Sequence, residues 1–149
     1  MKIFILPPHQ IPHFWEHIKV AAKKADELDE KHHREYFTEL LHALLSSKAQ
    51  CGVVIDDNRD LIALFITRFV VSKLTGEKQL NMQLLYAWAP IPDYVFDKVY
   101  DIYTKMARDE GCKSVIFTTH NKRVLDRVLR LGFTELERTY ILQLEGGVI

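Results

Sequence analysis

The chain has 149 residues, 48% of them hydrophobic and 27% charged, a length and balance that suit one globular domain with one core and exclude the disordered and membrane-embedded classes. Twenty Lys and Arg residues offset twenty Asp and Glu residues, so no net field draws the whole molecule to nucleic acid or to an anionic membrane. Any binding of that kind has to be local.

Met1 to Leu6 is an apolar run broken by one lysine and stopped by Pro7-Pro8. It is too short for a signal peptide or a membrane span, so an intracellular, cytoplasmic location is expected. Lys2 to Leu6 reads as a first strand. From Ile11 the apolar period lengthens: Ile11, Phe14, Trp15, Ile18, Ala21, Ala22 and Ala25 recur at helical spacing, with Pro12 near the start, where a missing N–H costs little. A charged stretch from Asp26 to Arg34 separates this helix from a second one, in which Tyr36, Phe37, Leu40, Leu41, Leu44 and Leu45 form a wide apolar stripe.

Gln50 to Asp56 and Leu61 to Val71 flank the turn-forming cluster Asp56-Asp57-Asn58 and read as a hairpin. After Gly76, Leu80, Met82, Leu84, Tyr86 and Trp88 alternate with Asn81, Gln83, Leu85 and Ala87, the period of a strand with one packed face. Asp93 is placed to cap a helix with Val95, Val99, Ile102, Tyr103 and Met106 inward, closed by Gly111. Lys113 to Thr119 is the next strand. Asn121 is placed to cap a short helix closed by Gly132, and Phe133 to Leu144 supplies a last extended strand. The two cysteines, Cys51 and Cys112, lack any CxxC spacing and read as small buried hydrophobes. No repeat or linker divides residues 1–149, which are expected to form a single domain.

The order βααβββαβαβ makes Leu80 to Thr119 a right-handed crossover unit with parallel strands inside an otherwise antiparallel sheet. In that order, and in the stretch Asn121-Lys122-Arg123-Val124-Leu125-Asp126-Arg127-Val128-Leu129-Arg130-Leu131-Gly132-Phe133, the chain resembles the GCN5-related N-acetyltransferase (GNAT) superfamily, whose acyl-CoA N-acyltransferase fold is α/β. The resemblance implies a mixed, mainly antiparallel sheet flanked by helices. It also implies that a glycine-rich loop between the fourth strand and the third helix should hold the coenzyme A pyrophosphate on bare backbone N–H groups at a helix N-terminus.

Here that loop reads Trp88-Ala89-Pro90-Ile91-Pro92-Asp93. It has no glycine, two prolines that delete donors, and an aspartate whose charge opposes a phosphate. Several charge-assisted hydrogen bonds of roughly 1.5 to 3 kcal/mol each are thereby lost. The family's tyrosine that protonates the departing thiolate aligns with Val128, which carries no proton to give. Candidate stand-ins are Tyr86 and Tyr140, each also readable as a packing residue. A general base is sought near the fourth strand, where Asn81 and Gln83 do not titrate; Glu77 precedes that strand and His120 ends the fifth. His120 is the better placed of the two, beside a cleft, though capping a helix or meeting solvent is the favoured account of it. Asn121, Arg123 and Arg127 are the residues that would touch a coenzyme phosphate.

His9, His13 and His17 are spaced by four and His32-His33 form a pair, but His13 to His17 is not the HExxH arrangement of zinc hydrolysis, so no metal is expected. Lys122, Arg123, Arg127 and Arg130 make one helix basic without interleaved aromatics, so nucleic acid is not the expected partner. The residues thus point to a non-catalytic GNAT-like module, a pseudoenzyme without a cofactor. It would be used for protein binding or structural assembly, and the resemblance extends to proteins that tailed bacteriophages encode, including internal virion and assembly-associated ones. On that reading the location is the host cytoplasm or the virion. The alternative is an active acyltransferase that grips acetyl coenzyme A through an atypical donor site. A small antitoxin-like or regulatory module is a third reading that the residues leave open.

Overall fold

A computed structural model describes residues 1–26, 30–119 and 122–144. The elements are β1 (Lys2–Ile5), α1 (Ile11–Asp26), α2 (His33–Leu45), β2 (Ala49–Ile55), β3 (Leu61–Val71), β4 (Lys78–Ala87), α3 (Asp93–Asp109), β5 (Ser114–Phe117) and α4 (Lys122–Arg130). They build a five-stranded sheet in the order β1-β2-β3-β4-β5. Each neighbouring pair is antiparallel except β4 and β5, which run parallel. A short connection can join only antiparallel neighbours, and the parallel step is the one that α3 bridges.

Two cores sit on opposite faces. On one, Ile11, Ile18, Ala21 and Ala22 of α1 and Leu40 and Leu44 of α2 cover Cys51, Val53, Leu64, Ile66 and Leu84. On the other, Val95, Val99, Tyr103 and Ala107 of α3 cover Val54, Phe65, Leu80 and Met82. The spacing of α1 and α3 delivers these side chains to one stripe each, as helical periodicity requires. Gly52 on β2 lies beneath Phe65 of β3: a Cβ at position 52 would stand 2.0 Å from the tip of that ring. At the β2–β3 turn, the Asp56 carboxylate accepts from the N–H groups of Asn58 and Asp60, each at 2.9 Å, the local bonding expected of the Asp-Asp-Asn cluster.

The alternation along β4 is broken where the sequence reads as continuous. Ile66 pairs with Leu84 and Thr67 with Met82, so Gln83 is an extra residue, a β-bulge. One inserted residue reverses the parity of the strand. Leu80 and Met82 therefore face α3 while Leu84, Tyr86 and Trp88 face α1 and α2, and the expected single packed face is corrected to two half-strands with opposite faces. Beside the bulge, the Tyr103 hydroxyl reaches from α3 between two strands. It accepts from the Met82 N–H at 3.0 Å and lies within bonding distance of the carbonyls of Leu80, at 2.6 Å, and of Ile116.

Three further expectations are corrected. Asp93 does not cap α3: Pro92 is the N-cap, with no side-chain hydrogen bond. β5 is four residues long rather than the seven of Lys113 to Thr119. Phe133 to Leu144 forms no strand; residues 134–144 are exposed throughout and contribute no rung to the sheet, which ends at β5. The cause is the lack of a neighbour, since a strand takes its hydrogen bonds from one. The placement of Asn121 as a cap lies outside the described residues. Both α3 and α4 end as expected, with Gly111 (φ 74°) and Gly132 (φ 96°) in the left-handed conformation that glycine adopts without strain. Cys51 and Cys112 are free, the first buried and the second half-buried.

Removing the Tyr103 hydroxyl orphans a buried N–H. Tyr103→Phe is expected to lower unfolding free energy by about 1–3 kcal/mol, measured by urea denaturation. Burial also pushes the Cys51 thiol up to about 12 and raises the phenols of Tyr103 and Tyr36, the latter helped by its hydrogen bond to Asp26. The folded chain thus keeps protons that the unfolded chain releases above about pH 9 for Cys and about pH 10 for Tyr. The stability these groups confer is complete below those values and falls as pH rises towards the folded pKa values. A urea midpoint that declines above about pH 9, and declines less in Cys51→Ala, is the expected result.

Candidate functional site

The register of β4 and β5 runs from Gln79↔Ser114 to Met82↔Phe117 and stops, with one more bond from the Thr118 N–H to the Met82 carbonyl at 3.2 Å. Beyond it the second half of β4, Leu84 to Ala87, stays paired to β3 while β5 departs. Parallel strands that part in this way leave a cleft at their carboxyl ends, where ligands of α/β proteins bind. Below the cleft is an apolar crevice of about 270 Å³, counting the space open at its mouth. Met82 and Leu85 of β4, Phe96, Val99, Tyr100 and Tyr103 of α3, Phe117 of β5, Val128 of α4 and Phe133 line it. Among these, only the two tyrosines carry a polar side-chain atom, and that of Tyr103 is already bonded to the strands. Its raised pKa keeps it a neutral phenol, held there chiefly by burial.

The loop from Trp88 to Pro92 follows β4, and Arg127 of α4 reaches across to it. Its guanidinium donates to the Ile91 carbonyl at 3.3 Å, pairs with the Asp93 carboxylate at 3.3 Å and lies 5.1 Å from the centre of the Phe96 ring. The aspartate expected to repel a phosphate is thus the partner of a cation expected to attract one. The pair neutralises both. Arg123 sits four residues earlier on the exposed side of α4, and it too makes contacts within the protein.

The remaining candidates do not converge on this crevice. Tyr86 lies on the other face of the sheet, its ring 5.0 Å from that of Trp88, edge to face, with the Lys24 ammonium 6.0 Å above it. Val128, which the sequence resemblance aligned with a catalytic acid, is buried in the crevice wall on the α3 side, whereas Tyr86 faces the other way. Tyr140 is 81% exposed, in the segment after α4. Glu77 belongs to the β3–β4 turn, where its N–H bonds Thr75, and about 20 Å of strand separates it from the bulge. Asn81 accepts from Thr118 at 3.2 Å. His120 and Asn121 lie outside the described residues. Among the described residues no group of three or more His, Cys, Asp or Glu side chains is placed to hold a metal ion, and no helix is long and apolar enough to cross a membrane.

Three participants escape the sequence reading. The bulge at Gln83 has no local signature. Tyr103 reads as one more apolar residue of an amphipathic helix, although the hydroxyl of a buried tyrosine usually takes a hydrogen-bond partner. His17, read as part of a solvated face, has its ring 6.2 Å from Trp88 at the end of β4.

An exposed ion pair is weak, and Asp93 is 80% exposed on its side chain. A double-mutant cycle on Asp93→Ala and Arg127→Ala is expected to give a coupling of about 0.2–1 kcal/mol. A coupling indistinguishable from zero would mean that Arg127 is not pinned to the loop.

No protein-family model and no curated protein sequence matches the chain. Solved structures do. A probable acetyltransferase superposes with a TM-score of 0.73 at 14% identity, covering 97% of this chain and 99% of its own. A ribosomal-protein-alanine N-acetyltransferase from Brucella melitensis biovar Abortus 2308 gives 0.67 at 14%, covering 96% and 99%. An aminoglycoside N-acetyltransferase solved with coenzyme A gives 0.64 at 14%, covering 97% and 99%. At such identities the likeness concerns the fold, and it spans nearly the whole of each chain: the described residues adopt a GNAT-like acyltransferase fold, a mixed and mainly antiparallel sheet flanked by helices.

Proposed function

We propose that this chain is a non-catalytic GNAT-fold module that works by binding protein, in a structural or assembly role of the kind found among bacteriophage virion proteins. The observation that carries the reading is the Arg127 clasp on Ile91 and Asp93. A donor pyrophosphate needs bare N–H groups and uncommitted positive charge at this loop. The loop offers two prolines and a carboxylate, and the guanidinium beside it is engaged with the protein itself. The chemistry of the crevice supports the same reading. Among its lining residues, a thiolate acid could come only from Tyr100 or Tyr103, and the second is committed to the backbone of β4 and β5. Val128 supplies none.

The opposing reading is an acyl-CoA-dependent N-acyltransferase with an atypical donor site. Two observations favour it: the similar solved structures are described as acetyltransferases, one of them bound to coenzyme A, and the strands part as a donor cleft requires.

Isothermal titration with acetyl coenzyme A, paired with thermal melting, separates the two. A ligand that binds only the folded state must raise the melting temperature. Our reading expects no heat and no shift at millimolar ligand; micromolar binding would replace it with the acyltransferase. In a chain carrying Pro90→Gly, Pro92→Gly, Asp93→Ala and Val128→Tyr, coenzyme binding is expected to appear while turnover remains undetectable. Binding equal to that of the parent would count against the account given of the loop.

A further inference from the structure

We propose that His13 and His17, on the first turns of α1, form a two-imidazole chelate for a divalent cation of the copper, nickel and zinc class. The inference is independent of whether the cleft takes a donor. α1 runs from Ile11 to Asp26, so residues 13 and 17 stand one turn apart on the same side of the helix, with Cβ atoms about 5–6 Å from each other. Both are exposed. A metal–imidazole bond of about 2.0–2.1 Å from each ring closes that gap, and imidazole nitrogen suits these ions. As a motif, His13-Phe14-Trp15-Glu16-His17 is the reverse of HExxH, and the reversed order also occurs in zinc sites. What the two orders share is the imidazole pair at this spacing.

His17 is the ordered half of the pair. Its ring lies 6.5 Å from that of Phe14 and 6.2 Å from that of Trp88, the latter edge to face, so part of the rotamer freedom that a chelate must remove is already gone. The neighbouring groups define the ligand set. The Glu16 carboxylate is drawn to the Lys19 ammonium at 2.9 Å. His9 keeps the spacing of four in sequence, but it belongs to the 3-10 turn Pro8–Gln10, whose tighter winding rotates it off the α1 stripe. His32 and His33 are adjacent in sequence, and side chains one apart on a helix do not face each other. No three His, Cys, Asp or Glu side chains come together among the described residues, so the site has two protein ligands. A catalytic zinc takes three and a structural zinc four, and neither hydrolysis nor a closed structural site is assigned. The coordination positions left open take water or a ligand from another molecule. An ion held here ties together the first two turns of α1 beside Trp88, which directly follows β4.

Calorimetric titration of the untagged full chain, freed of metal with a chelator, tests this. One equivalent of Cu2+ is expected to bind more tightly than Ni2+ or Zn2+, the order that nitrogen sites follow, while Mg2+ and Ca2+, which take oxygen ligands, give no heat. His13→Gln and His17→Gln are each expected to weaken Cu2+ binding at least about tenfold with far-ultraviolet circular dichroism unchanged, whereas His9→Gln and His33→Gln leave the affinity within about twofold. Electron paramagnetic resonance of the Cu2+ complex should show coupling to two imidazole nitrogens in the parent and to fewer in either variant of the pair. No uptake of Cu2+ at sub-millimolar ion would overturn the proposal. Uptake that survives both single substitutions would overturn it by placing the ion elsewhere, and an equal loss in His9→Gln would overturn the two-ligand set.

Discussion

The architecture depends on how the hydroxyl of Tyr103 is seated between two strands. A parallel pair of strands tends to continue its ladder, because every backbone N–H removed from water must find an acceptor. At Met82 the acceptor is a side chain from α3, and the same oxygen meets carbonyls on β4 and β5. One neutral phenol thus satisfies the backbone at the point where the strands cease to pair. The adjacent bulge then turns the rest of β4 over, so that Leu84, Tyr86 and Trp88 belong to α1 and α2 while Met82 belongs to α3. Without the bulge, either Leu80 and Met82 or Leu84, Tyr86 and Trp88 would face the wrong helices. The opening between the strands and the division of the two cores share this one locality.

Much of this fold was legible in the residues, and the reason is periodicity. The stripes of α1, α2 and α3, the hairpin at Asp56 and the crossover that makes β5 parallel to β4 follow from repeats of 3.6 and 2 and from turn chemistry. What escaped is what periodicity cannot carry. A bulge is a disagreement between two strands, and neither sequence alone contains it. The segment after α4 has a good strand pattern, yet a pattern states a preference and the neighbour decides whether it is met. Asp93 looked like a cap because aspartate is a common one; the competing demand came from Arg127, 34 residues away in sequence.

What the sequence offered on the candidate site was absences more than contacts. The missing glycines of the Trp88 to Asp93 loop and the valine at position 128 can be read directly; Val128 lines the crevice, and the loop is joined to α4 through Arg127. The opposite faces occupied by Tyr86 and Val128 required coordinates, since only the inverted parity of β4 separates them. The ion pair between Asp93 and Arg127 changes what the loop's charge means. A carboxylate read alone is a repulsive element, whereas paired it is a contact that joins the N-terminus of α3 to α4.

The ring of Phe65 fills the space that a side chain at Gly52 would need, and this constrains the order in which the two positions can change. A larger residue at 52 collides with an aromatic ring fixed in a packed core, so it is excluded while the phenylalanine stays. Shrinking Phe65 first opens a cavity, at a cost of about 3–5 kcal/mol, which a later Ala or Val at 52 partly refills. The pair therefore has a directed mutational path: every viable route to a bulkier position 52 passes through a less stable intermediate. In a marginally stable domain that intermediate is a barrier to drift, and a descendant chain with a large residue at 52 should carry a small one at 65.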